Sequence, residues 1–140
     1  MTTETRLLQG TAAWFEMVGD LICRAAPAAR LAPDLNLSLV ERYVDGVELS
    51  KGVVQGLRLD IVDGVPSFRV GARRDEKADI IIEITAAAAR ELNLLRSDAP
   101  DYPVAQERFL RTGEMRVDGD ARVVAGWLDG VHDRIVDHTR

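Results

Sequence analysis

The chain has 140 residues, 46% of them hydrophobic and 29% charged, and a net charge of −5. That length suits one domain with its own core, and the composition is that of an ordinary globular protein. The acidic balance argues against a nucleic-acid partner, which wants a basic face, and no apolar run approaches the ~20 residues of a membrane span.

Residues 1–10 are polar and are expected to form a flexible N-terminus, with a single domain over 11–140. Thr11 is placed to cap a helix that runs to about Ala26, where Pro27 is expected to stop it. Phe15, Val18, Gly19 and Ile22 form one helical stripe, and Trp14, Met17 and Leu21 a second beside it. So broad an apolar face exceeds what one neighbour requires. Cys23 is the only cysteine and lies within this pattern, so it reads as a buried structural thiol. No basic segment followed by an apolar run marks a signal peptide, and a reducing, cytoplasmic setting is expected.

Alternation follows. Leu35, Leu37 and Leu39 recur at every second residue, as do Leu57, Leu59 and Ile61, then Phe68, Val70 and Ala72. Asp45-Gly46 marks a turn and Asp63-Gly64 a hairpin. Arg73 to Lys77 is charged and reads as a solvated turn. Ile80, Ile82 and Ile84 then share one face of a strand, and Thr85 sits at an N-cap position before four alanines. Two helices are expected, over about Ala86 to Leu95 and from near Pro103 to Gly113, with a polar link from Arg96 to Asp101. A fifth short strand covers Glu114 to Val117, and Asp120 caps a final helix to about Asp137. Its stripe is Ala121, Val124, Ala125, Leu128, Val131 and Ile135, with Val123 and Trp127 on one shoulder.

The pattern predicts a two-layer α+β domain. Its five-stranded sheet is mixed but mostly antiparallel, with one face covered by about four helices. The other face carries Arg58, Asp60, Arg69, Glu83, Arg116 and Asp118, read as cross-strand pairs on a solvated surface.

Catalytic signals are sparse. The sequence has no Gly-rich phosphate loop and no Cys/His metal spacing, so no cofactor and no metal are expected. His132, near the edge of the last helical stripe, reads as a boundary histidine rather than a general base. Continuing the alternation of Leu35, Leu37 and Leu39 places Glu41 on the core face, where an unpaired carboxylate is costly. Either the strand bends Glu41 out to water, or its carboxylate sits at a cavity mouth as a polar contact for a ligand. Small residues (Gly19, Ala125, Gly126) leave room for such a cavity.

Two segments carry a resemblance: Ala78-Asp79-Ile80-Ile81-Ile82-Glu83-Ile84-Thr85 and Gly113-Glu114-Met115-Arg116-Val117-Asp118-Gly119-Asp120. With this order of elements, the chain resembles the sterol carrier protein type 2 family from about Thr11 to Val136. The resemblance implies an apolar tunnel between sheet and helices that takes a fatty acid, acyl-CoA or sterol-like lipid without covalent chemistry. It implies lining by Phe15, Val18, Ile22, Ile82, Phe109, Met115, Trp127 and Leu128. The expected partner is thus a hydrophobic small molecule, with no nucleic acid and no stable membrane insertion. The link Ser97-Asp98-Ala99-Pro100-Asp101-Tyr102-Pro103 departs from the short Gly-containing link expected of the family.

Two rival readings use the same features. The apolar surplus on the first and last helices would instead form a homodimer or dock onto a pathway enzyme. Alternatively, Glu41 with His132 would serve as the acid–base pair of a small isomerase- or cyclase-like enzyme.

Overall fold

The computed structural model describes residues 5–140. Its elements in order are α1 (Ala12–Ala29), β1 (Leu37–Tyr43), β2 (Glu48–Ser50), β3 (Val53–Val62), β4 (Val65–Ala72), β5 (Ile80–Ile84), α2 (Ala86–Asn93), α3 (Asp101–Thr112), β6 (Met115–Asp118) and α4 (Arg122–Asp137). The architecture is α+β, an open sheet with one face packed by helices. Of the first ten residues, expected to fray, 1–4 lie outside the described ones. Leu7 instead forms a parallel bridge with Thr139, and its N–H donates to the His138 carbonyl at 2.8 Å.

The local signals act as their chemistry requires. The Thr11 side chain accepts from the Trp14 N–H at α1, and Thr85 accepts from Ala88 N–H at α2. Asp45 adds a second cap there, accepting from Ala86 N–H at 2.7 Å. Pro27 does not end α1, which runs on to Ala29. Arg30 then closes it in the left-handed conformation, donating its N–H to the Pro27 carbonyl. A proline costs a helix one N–H bond. Here the loss falls in the last turn of a helix held by packing on β4 and α4. Asp120 acts one position early. Its carboxylate accepts from Arg122 N–H and pairs with the Arg122 side chain, while the cap position itself falls to Ala121.

β3 is the longest strand and is paired along both edges, with β4 on one side and with β1 and then β2 on the other. β5 joins β1 in parallel, and β6 closes the far edge antiparallel to β5. The mixed sheet therefore runs β4-β3-β1-β5-β6, with the three-residue β2 as an addition the sequence pattern did not reveal. Asp63 and Gly64 form the two-residue turn between β3 and β4, both at positive φ (48° and 75°), as the tight hairpin turn demands. Gly119 ends β6 at a close approach: a Cβ there would lie 2.2 Å from the Asp79 carbonyl oxygen.

The apolar surplus of α1 and α4 is spent within the chain. The two helices pack on each other, and α1 also covers β3 and β4. Trp14 and Trp127 are both buried. Trp14 Nε1 donates to Thr139 Oγ1 at 2.8 Å, and Trp127 Nε1 donates to the Ile22 carbonyl at 3.0 Å. Neither ring is left to anchor a second copy. Cys23 is half-buried rather than buried, and burial followed by the nearby Asp20 charge pushes its thiol up, towards the unreactive protonated form.

The opposite face of the sheet is not the bare solvated surface expected. The 73–77 segment folds over it, and the Glu76 carboxylate reaches Arg58 at 2.8 Å and also Arg69. Arg58 and Arg69 stand directly opposite each other on β3 and β4, a repulsive pair that Glu76 bridges. Arg42 donates to the Glu76 backbone carbonyl at 2.8 Å and pairs with Glu83 at 3.3 Å.

Candidate functional site

Strand alternation carries Leu39 and Glu41 of β1, Leu57 and Leu59 of β3, and Ile82 of β5 onto the helix-covered face. In register, Glu41 lies between Leu57 and Ile82, in the middle of the sheet. The helices above do not close fully on it. Two adjoining cavities remain, of about 150 and 350 Å³. The larger reaches the lower end of the ~300–1,000 Å³ typical of small-molecule sites.

The smaller cavity lies under α1, between Phe15, Val18 and Ile22 on one side and Leu57 and Leu59 on the other. The larger extends towards α3 and β6, past Tyr102, Met115 and Ala125, to an apolar rim where Leu110 and Val117 are exposed. Six residues border both: Leu39, Glu41, Ile82, Asn93, Leu128 and His132.

Of the residues nominated from sequence, Phe15, Val18, Ile22, Ile82, Met115 and Leu128 border one or both cavities. Phe109 and Trp127 border neither. Both are core residues, and the Trp127 indole is turned onto α1 by its bond to Ile22. The small residues divide likewise: Ala125 borders the larger cavity, the space over Gly19 is filled by the Phe68 ring, and Gly126 faces outward.

Glu41 does face inward, and no bulge turns it to water. The surface it keeps opens onto the two cavities, and among the described residues no group donates a hydrogen bond to its carboxyl. Burial without a compensating donor pushes its pKa up to about 7. His132 borders the same cavities but is not paired with Glu41. Its Nε2 lies 2.7 Å from the Leu95 carbonyl, and its ring stacks on Tyr102 with centroids 4.5 Å apart. Tyr102 is pushed up to about 12, first by burial and then by the charges of Asp129, Asp133 and Glu41. Among the described residues no group of His, Cys, Asp or Glu is placed to hold a metal ion, and no helix is long and apolar enough to cross a membrane.

The sequence matches no protein-family description and no curated protein. Its fold does have counterparts among solved structures. A crystal structure of sterol carrier protein 2 superposes with a TM-score of 0.57 at 16% identity, over 94% of this chain and 99% of that one. The chain has the sterol carrier protein 2 fold. A solution structure of a Thermus thermophilus protein, described as a possible sterol carrier protein, gives 0.56 at 16% identity over 96% and 95%. A UbiJ-SCP2 ubiquinone synthesis protein gives 0.51 at 19% identity over 89% of each chain.

On this sterol carrier protein 2 fold, the long link before α3 has a defined place. Ser97 N–H and Oγ bind the Asp133 carboxylate at 2.7 and 2.6 Å, and Arg96 pairs with Asp137. The link is thereby fastened to the second half of α4, which brings Tyr102 against His132. Asn93, Tyr102 and Gln106 were not nominated from the sequence. Helical spacing gives α2 and α3 an inward face, but only the fold points these three polar side chains at a common space.

Proposed function

We propose that this protein binds and carries a lipid or other hydrophobic small molecule, without catalysis, in a tunnel formed by the two adjoining cavities. The observation that carries the reading is the mostly apolar, unfilled space between sheet and helices. Two of the named neighbours, one described as sterol carrier protein 2 and one as possibly a sterol carrier protein, support it. Binding would be driven by burial of apolar ligand surface, at about 25 cal/mol per Å² before entropic costs. Phe15, Val18, Ile22, Ile82, Met115 and Leu128 would contact the apolar body, and Glu41 would meet a polar group. The setting is taken to be cytoplasmic.

The test is native mass spectrometry and solvent extraction of the purified protein, with uptake of an uncharged solvatochromic dye such as Nile red. The expected result is a co-purifying lipid or saturable dye binding that is lost in Ala125→Trp, which fills the larger cavity. Absence of both from the folded wild-type protein would overturn the reading.

One observation favours a second reading, a small isomerase- or cyclase-like enzyme: Glu41 and His132 border the same cavities. A ligand recovered chemically unchanged after prolonged incubation excludes it, whereas conversion that disappears in Glu41→Gln supports it.

A further inference from the structure

Resting on the reading above, we propose that the ligand is a lipophilic amine, its cationic nitrogen held by Glu41, Asn93 and His132 while its hydrocarbon part fills the two cavities. These three are the polar side chains that border both cavities, and each has an acceptor to offer. The Asn93 amide gives one N–H to the Ala89 carbonyl at 2.8 Å, which fixes the group and leaves its side-chain oxygen free to accept. His132 Nε2 faces the Leu95 carbonyl, which only accepts, so in the neutral ring Nδ1 is the free acceptor. Glu41 receives no hydrogen bond from any described residue. A primary ammonium carries three N–H donors and no acceptor, which complements this set.

The charges around the cavities point the same way. Neither cavity is bordered by a lysine or arginine, and the two carboxylates that border them are Glu41 and, at the exposed rim, Asp129. An anionic head group would leave water for a site with no cation and two acidic groups, an uncompensated loss of solvation. Tyr102, which feels both carboxylates, adds an aromatic face beside the path from the rim. An alcohol satisfies one acceptor but leaves the carboxylate charge unmatched, and charge-assisted bonds are roughly twice as strong as neutral ones. The expected order at equal chain length is therefore amine, then alcohol, then carboxylate.

The experiment measures displacement of Nile red from the full chain at pH 8 by dodecylamine, dodecanol and dodecanoate, each below its micelle concentration. Dodecylamine should displace the dye at concentrations at least tenfold lower than dodecanoate, with dodecanol between. Glu41→Gln, checked for folding by circular dichroism and with its own dye affinity measured first, should bring amine and carboxylate within threefold. Asn93→Leu, which leaves β1 untouched, should weaken the amine about threefold and spare dodecanoate. Dodecanoate equal to or better than the amine, or an unchanged ratio in Glu41→Gln, would overturn the amine assignment while leaving the carrier reading intact. No uptake of dye or of any of the three compounds would overturn both.

Discussion

Two enclosed glutamates on opposite faces of one sheet meet opposite fates. Glu76 is only 10% exposed, yet it is held below the usual carboxylate range. Burial pushes it up, but the Arg73 N–H and the Arg58 and Arg69 guanidiniums outweigh that. Glu41, with no donor, is left at about 7. Burial alone thus does not decide the state of a carboxyl; the donors brought to it do. One face of the sheet uses its half-buried acid to fasten a loop, and the other leaves its acid unspent beside empty space.

Removing the paired acid should have the largest effect. Glu76→Ala leaves Arg58 and Arg69 opposed without their bridge and releases the 73–77 segment. Urea denaturation at pH 7 should show a loss of about 3 kcal/mol, within the range for breaking an enclosed pair. A loss below about 1 kcal/mol would mean the segment is only an exposed turn.

Replacing the unpaired acid should act in the other direction. Because the folded pKa of Glu41 lies above its unfolded value of about 4.5, its contribution to stability is fully present below pH 4.5. It is lost as pH rises through 7. Glu41→Gln should therefore be more stable than wild type at pH 8 by roughly 2–3 kcal/mol, and the two should converge near pH 4.5. For Glu76 the sign reverses: its stabilisation is present above pH 4.5 and lost as pH falls through its lowered folded pKa. Denaturation curves of Glu41→Gln and Glu76→Gln against pH should thus depart from wild type in opposite directions. Parallel curves would erase the distinction between the two faces.

The smallest expected effects fall on single hydrogen bonds. Trp14→Phe keeps most of the buried ring and removes the bond to Thr139, with an expected cost of about 1 kcal/mol by thermal melting. Asp45→Ala removes one of the two caps of α2 at a similar or smaller cost.

The core face of Glu41 was legible because alternation through Leu37 and Leu39 points there, but that pattern left open whether the strand would bend it out to water. Thr85, Asp63-Gly64 and Gly113 were legible because each is the residue its local geometry requires. Glu76 was not. Within Arg-Arg-Asp-Glu-Lys nothing separates a residue that folds back among arginines from one that points to water, because its partners on β3 and β4 are set by tertiary register. That Phe109 and Trp127, nominated as lining, border neither cavity has the complementary reason: helical spacing identifies an inward face, but not whether the residue there meets a neighbour or a void. The acceptors at Asn93 and His132 depend on which backbone carbonyls consume their N–H groups, and no spacing encodes that.

The bond between Trp14 and Thr139 joins residues 125 positions apart, and Arg140 reaches back to the Arg6 carbonyl across 134. Closing so long a span comes late in folding, because its entropy must be met before any contact rewards it. During synthesis, α1 has no indole partner until residue 139 has left the ribosome. The wall that Phe15, Val18 and Ile22 give to the smaller cavity thus gains this tie late, and a nascent chain would hold that compartment unlatched until Thr139 has emerged.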